Sequence, residues 1–142
     1  MYRRILVALE NGRADASLLP HVADLATLAH SELLLIHVAV GWAARNFTQL
    51  KLAESDEMKA DREYLEKQAE VLRARGLHVD VHLALGNPPT EILKAAEQAQ
   101  CDLIAMTTHG HRFFGDLIYG STISAVRHRS QAPMLIVRAA EV

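Results

Sequence analysis

Apolar residues along the chain fall into five short runs separated by longer amphipathic stretches. Residues 5–9, 33–40, 102–107 and 133–138 are nearly continuous apolar runs rich in branched side chains, which is typical of strands buried on both faces. Residues 77–85 instead alternate apolar and polar positions. This alternation predicts a strand with one wetter face, at an edge of a sheet.

The stretches between these strands predict helices. Apolar residues recur at helical spacing from about Ser17 to Ala29 and from Met58 to Leu72, and Gly76 is predicted to close the second helix in the left-handed conformation. The segment "GNPPTEILKAAEQAQ" predicts a turn and a helix, and residues 121–129 predict a short last helix. Strand and helix therefore alternate, which predicts an α/β fold in one domain, residues 1–142, with a five-stranded parallel sheet and helices on both faces.

The order of elements also predicts where a ligand would bind. In an open parallel sheet the ligand crevice lies beyond the carboxyl ends of the strands, where the strand order reverses. We therefore expect it near residues 10–12, 38–40, 86–88 and 107–110. The segment 41–54 has weak periodicity and is interpreted as a connection outside the sheet.

Composition narrows the class of protein. The chain has 142 residues, of which 50% are apolar and 23% charged, and its net charge of -2 offers no broad positive surface for nucleic acid. A single cysteine, Cys101, excludes an internal disulfide and favours a reducing compartment. The apolar run after "MYRR" is too short for a signal peptide, and no run is long enough for a membrane span. We expect a cytoplasmic protein.

The loop "THGHRFFGDLIYGST" is a candidate anion site. It leaves a predicted strand end and leads to Gly120, Ser121 and Thr122 at the predicted start of the last helix, where unpaired N–H groups attract phosphate. Gly110 and Gly120 would let the backbone approach oxygen atoms closely. The alternative is that both glycines are turn residues and that Ser121 or Thr122 is only a helix cap. The chain has no P-loop motif and no GxGxxG after the first strand.

Several stretches in the same order resemble the universal stress protein family. They are "YRRILVAL", "LLLIHV", "GNP" and "APMLIV", together with Gly110, nine further residues and Gly120-Ser121, which match the second and third parts of that family's motif G-2x-G-9x-G-[S/T]. The resemblance spans nearly the whole chain. It implies a Rossmann-like three-layer sandwich, a dimer and, in many members, one ATP per subunit.

The resemblance also implies roles for individual residues. The main chain of Val38 would meet the adenine edge, Ala8 and Leu9 would line the base, and Glu10 would face the nucleoside where the family usually has aspartate. The residues implied near the phosphates are Thr107, Gly110, Gly120, Ser121 and Thr122. His111, beside Gly110, is a further candidate for a phosphate contact. Two of these positions depart from the family: Thr107 stands in place of the first motif glycine, and Glu10 is one methylene longer than aspartate.

These observations predict an ATP-binding dimer that acts as a signalling or regulatory module in a stress response, with ATP bound alone or with Mg²⁺ and with a protein partner that the sequence does not name. The dimer is expected through the last strand, Pro133 to Arg138, because an apolar sheet edge invites pairing with a second copy. No catalytic set or metal site is predicted. The alternatives are a dimeric scaffold of the same fold that binds no nucleotide, and an adenine-nucleotide hydrolase with His109 or His111 as base.

Overall fold

The computed structural model describes residues 1–39, 56–109 and 117–140, and for 117–120 the backbone alone. Within these residues the strands are β1 (Arg4–Ala8), β2 (Glu32–Ala39), β3 (Val79–Leu85), β4 (Leu103–Thr108) and β5 (Met134–Arg138). The helices are α1 (Asp15–Ala29), α2 (Asp56–Ala74), α3 (Pro88–Gln98) and α4 (Leu117–Arg129). The predicted alternation of strand and helix is confirmed. The predicted connection 41–54 lies outside the described residues.

The strands form one parallel sheet in the order β3-β2-β1-β4-β5. The α/β fold with a five-stranded parallel sheet is therefore confirmed, as is the edge position of the alternating strand β3. From β1 the chain adds β2 and β3 on one side and then crosses to β4 and β5 on the other. The strand order reverses between β1 and β4, which is where a ligand crevice is expected.

The sheet separates two apolar cores. One face packs α1 and α2 against β1 and β2, with Leu18, Leu35 and Leu65 fully buried. The other packs α3 and α4 around Leu6 and Ile104. Fully burying a side chain of this size contributes roughly 1.5–3 kcal/mol, so these two layers are the main source of stability.

Local signals at the helix ends explain two of the boundaries. Asn87 caps α3 by accepting a hydrogen bond from the Thr90 N–H at 3.2 Å, and the two prolines that follow occupy the first helical positions, where no N–H is needed. Gly76 follows α2 with φ of +90°, and the Gly76 N–H donates to the Arg73 carbonyl at 2.9 Å. The prediction that Gly76 closes this helix is confirmed.

The predicted start of the last helix is wrong by four residues. α4 begins at Leu117, so Gly120, Ser121 and Thr122 are its fourth to sixth residues. From the fifth residue of an α-helix onward the backbone N–H points to the carbonyl four residues earlier, so the N–H groups of Ser121 and Thr122 point to the carbonyls of Leu117 and Ile118. The glycine followed by two hydroxyl residues resembled a helix start, but a glycine inside a helix costs only about 1 kcal/mol, and the helix continues through it.

In the parts of the chain that the structure describes, no helix is both long enough and apolar enough to cross a membrane.

Candidate functional site

A cavity opens at the carboxyl ends of β1, β2 and β4, at the reversal of strand order. Six of the residues predicted for the site line it: Ala8, Leu9, Glu10, Val38, Thr107 and Thr122. The remaining lining residues come from β2, from β4 and from the start of α3: Ile36, His37, Pro88, Ile92 and Met106. The topology therefore brings together residues that are more than one hundred positions apart in the chain.

The other four predicted site residues are Gly110, His111, Gly120 and Ser121. Gly120 and Ser121 belong to α4, and the Ser121 side chain is exposed. Gly110 and His111 lie outside the described residues. Gly120 ends the first turn of α4 and Ser121 follows it, so a phosphate contact at these two residues stays a prediction.

The loop between β1 and α1 is held by a buried carboxylate. Asp15 is 1% exposed and accepts hydrogen bonds from the N–H groups of Glu10 at 2.9 Å, Asn11 at 2.9 Å and Gly12 at 3.4 Å. The Tyr64 hydroxyl on α2 donates to the same carboxylate at 2.6 Å. Burial, and then the hydrogen bond to Asp15, raise the pKa of the Tyr64 phenol, which keeps it a donor. Asp15 thereby fixes the backbone that carries Glu10 into the cavity.

The Glu10 carboxylate is paired with a histidine that lies just after the end of β4, the neighbour of β1 in the sheet. His109 Nε2 lies 2.6 Å from Glu10 Oε2, and the two side chains are 14% and 13% exposed. The extra methylene of Glu10 therefore does not leave the carboxylate in solvent. His109 lies just after β4, and its ring contacts the acidic group of the cavity.

A second polar group stands at the β2 side of the cavity. His37 Nδ1 is 2.9 Å from the Leu9 carbonyl, which can only accept, so this nitrogen carries the proton. His37 Nε2 is 3.7 Å from Asp61 on α2, and Asp61 also accepts from the Asn11 side chain at 2.6 Å. The His37 ring also forms part of the cavity wall.

The chemistry of the wall suits a partly apolar ligand with hydroxyl groups. Ile36, Ile92 and Met106 are almost fully buried and give the cavity apolar sides. Glu10 is the carboxylate of the wall, and no lysine or arginine is present among the lining residues that the structure describes. Across the described residues, no group of three or more His, Cys, Asp or Glu side chains could hold a metal ion.

Comparison with known proteins identifies the family. A model of the universal stress protein family matches residues 1–138 of the chain. The chain belongs to this family. It is 28% identical to the universal stress protein MJ0577 of Methanocaldococcus jannaschii over an alignment 158 positions long, which covers 97% of this chain and 96% of that one. The solved structure of MJ0577 superposes with a TM-score of 0.78 at 26% identity, covering 100% of this chain and 99% of that one.

Two other solved structures of the universal stress protein family contain nucleotides. One, from Archaeoglobus fulgidus, is in complex with dAMP; it has a TM-score of 0.69, is 19% identical and covers 96% of this chain and 98% of its own. The other is in complex with cAMP; it has a TM-score of 0.70, is 16% identical and covers 98% of each chain. At this identity the likeness shows a shared fold.

Membership of the universal stress protein family confirms the resemblance drawn from the sequence, but several residues at the cavity were not predicted. Pro88 lies in the crevice region that the strand order predicts, and Ile92, one turn later on α3, could have been found from the same topology. Asp15 had a signal too, because an acid beside a helix start commonly binds loop N–H groups. Asp61 and Tyr64 had none, since they lie within a helix whose pattern shows only an apolar face and a polar one.

Proposed function

We propose that the chain binds an adenine nucleotide in this cavity and acts as a dimeric signalling or regulatory module in a stress response. ATP, alone or with Mg²⁺ carried by its phosphates, is the proposed nucleotide, and the cytoplasm is the proposed compartment. One observation carries the proposal: the cavity at the reversal of strand order combines apolar walls with a carboxylate that is only 13% exposed.

The two parts of a nucleoside match the two kinds of wall. The apolar side chains of Ile36, Val38 and Ile92 suit the faces of a base, and the Val38 main chain supplies a donor and an acceptor for its edge. The Glu10 carboxylate suits ribose hydroxyls, which are hydrogen-bond donors. The complexes of family members with dAMP and cAMP support adenine nucleotides as the ligand class. For the phosphates we propose the hydroxyls of Thr107 and Thr122, together with the loop of Gly110 and His111 and with Gly120 and Ser121.

Calorimetry tests binding directly. Purified protein is titrated with ATP, AMP and cAMP, and native mass spectrometry of the same preparation detects any nucleotide that co-purifies. We expect one nucleotide per chain. A preparation that holds no nucleotide and gives no heat with any of the three removes the proposal and leaves the alternative, a scaffold that binds no nucleotide.

The methionines of the chain allow the site itself to be tested. Met106 lines the cavity, whereas Met58 lies on α2, Met134 lies on β5 and Met1 is 95% exposed at the start of the chain. The protein is labelled with ¹³C-methyl methionine and titrated with ATP while NMR spectra are recorded. The methyl resonance of Met106 should change in proportion to occupancy, and that of Met1 should stay unchanged. Binding that leaves Met106 unmoved would assign the nucleotide to another surface.

The dimer is proposed through β5, because the two edges of the sheet differ. The edge strand β3 exposes Asp80 and His82, whereas β5 reads Met-Leu-Ile-Val-Arg and leaves Ile136 39% exposed. An apolar edge strand offers both unpaired backbone groups and surface to bury, and a two-fold axis lets the same strand of a second copy cover both.

Sedimentation velocity tests the dimer. Ile136→Lys should give a monomer, because it puts a charge into the proposed contact, while the control His82→Lys on the other edge should sediment as the wild type does. Repeating the wild-type measurement with saturating ATP tests whether nucleotide alters the dimer. A wild-type protein that is monomeric at tens of micromolar contradicts the proposed assembly.

The Glu10–His109 pair favours a second candidate function, slow hydrolysis of the bound nucleotide. An imidazole held by a carboxylate at 2.6 Å is an arrangement that general acid–base catalysis uses. In this candidate His109 accepts a proton from a water whose oxygen bonds to the terminal phosphorus of ATP, while the bond from that phosphorus to the bridging oxygen breaks and ADP leaves. His109→Gln must then abolish phosphate release that stands well above the background without protein, while nucleotide binding persists.

A further inference from the structure

Thr107 contributes a buried hydroxyl that lacks a protein partner. The residue is 2% exposed and lines the cavity, and among the described residues its Oγ1 has no hydrogen-bond partner. An unsatisfied buried hydroxyl destabilises a folded chain, whereas valine has nearly the same shape, the same preference for strands and no polar atom. Without a ligand, the chain would therefore be more stable with valine at this position.

We propose that the Thr107 hydroxyl is a ligand-binding group, which forms a hydrogen bond to an oxygen of the sugar–phosphate part of the nucleotide. This inference rests on the proposed function and assigns one contact within it. The bound ligand would supply the partner that the protein lacks, so the hydroxyl costs stability in the empty state and adds affinity in the occupied one.

The position of Thr107 in the sheet indicates which part of the ligand it meets. Val38 is on β2 and Thr107 is on β4, with β1 between them. Neighbouring strands are about 4.8 Å apart, so the two residues are separated by roughly 10 Å across the strand ends. If the base lies beside Val38, the sugar and the first phosphate extend past Glu10, just beyond the end of β1, toward Thr107. The contact is thus to a ribose or phosphate oxygen, not to the base.

A second buried hydroxyl provides a matched control. Ser31 is 4% exposed, and its Oγ also has no partner among the described residues. It immediately precedes β2, at the amino ends of the strands and therefore opposite the cavity. Ser31→Ala removes the same kind of unsatisfied group from a place where no ligand is proposed.

The experiment compares Thr107→Val, Thr107→Ser and Ser31→Ala with the wild type, using thermal unfolding of the ligand-free proteins and calorimetry with AMP and adenosine. We expect Thr107→Val and Ser31→Ala each to raise the melting temperature. We expect Thr107→Val alone to weaken AMP binding, by about five- to tenfold, as suits the loss of one hydrogen bond. Thr107→Ser, which keeps the hydroxyl, should bind AMP within about twofold of the wild type.

The outcomes separate this inference from the function on which it rests. A wild type that binds neither AMP nor adenosine removes both. A wild type that binds AMP, together with Thr107→Val of equal affinity, overturns the Thr107 contact and leaves the proposed function intact. A lower melting temperature for Thr107→Val also overturns it, because the hydroxyl would then have a partner within the protein. Weakening seen with both ligands supports a ribose contact, and weakening seen with AMP alone supports a phosphate contact.

Discussion

Replacement of Asp15 should destabilise the protein more than any substitution of a surface acid. Its carboxylate accepts from the N–H groups of Glu10, Asn11 and Gly12 and from the Tyr64 hydroxyl, at distances between 2.6 and 3.4 Å. Asp15→Ala leaves these donors without their acceptor. Each donor that water does not reach then lowers the free energy of unfolding by about 1–3 kcal/mol. Because Asp15 itself is 1% exposed, we expect a total loss of about 3–5 kcal/mol.

A loss of that size is easily measured. For a chain of this length 1 kcal/mol corresponds to roughly 3 °C, so Asp15→Ala should melt about 10 °C or more below the wild type. Asp15→Asn should lose less, about 2 kcal/mol, because its amide oxygen can still accept while its NH₂ group faces other donors. Urea unfolding followed by circular dichroism gives the free energies. Asp24→Asn is the control, since Asp24 is 79% exposed in its ion pair with Arg75 and should change stability by less than about 0.5 kcal/mol.

A double-mutant cycle isolates the link between the loop and α2. Tyr64→Phe alone should cost about 1 kcal/mol, because it removes one hydrogen bond to Asp15. In the Asp15→Ala background the same change should cost almost nothing, since the acceptor is already gone. The reasoning is refuted if Asp15→Ala loses less than about 1 kcal/mol, or if the two substitutions are simply additive.

Three further outcomes follow from the structure. Burial raises the pKa of the Cys101 thiol from 9.0 to about 11, so at a given pH its thiolate is about 100-fold rarer. Iodoacetamide should therefore modify Cys101 at least about 100-fold more slowly in the native protein than in urea. Equal rates would contradict the burial. Burial opposes ionisation of Asp102, but hydrogen bonds from the N–H groups of Arg3 and Arg4 outweigh it and leave the pKa below its usual value. Asp102→Asn should therefore destabilise at pH 7, and in urea titrations the difference should shrink below about pH 4 and vanish as the pH falls through the lowered pKa; a difference that grows in acid would be evidence against it. Asn87→Ala should cost about 1 kcal/mol through loss of the α3 cap, whereas Asn87→Ser should retain most of it in the same titration.

The sequence by itself determined the alternation of strands and helices, the parallel sheet and the edge position of β3. These follow from apolar periodicity, which is a property of neighbouring residues and can be read without knowing the fold. It also predicted the region of the cavity, because the carboxyl ends of parallel strands lie at one edge of the sheet. The boundary of α4 was missed, since glycine and hydroxyl residues occur at helix starts and also, at modest cost, inside helices.

Only the tertiary structure decided which polar side chains meet at that edge. Glu10 and His109 are 99 residues apart, and Asp15 and Tyr64 are 49 apart. No local pattern links such positions; they come together because β1 and β4 are neighbours in the sheet and because α2 packs beside α1. The burial that makes these contacts strong likewise depends on layers formed by distant parts of the chain. The same burial leaves the Thr107 hydroxyl without a partner among the residues that the structure describes.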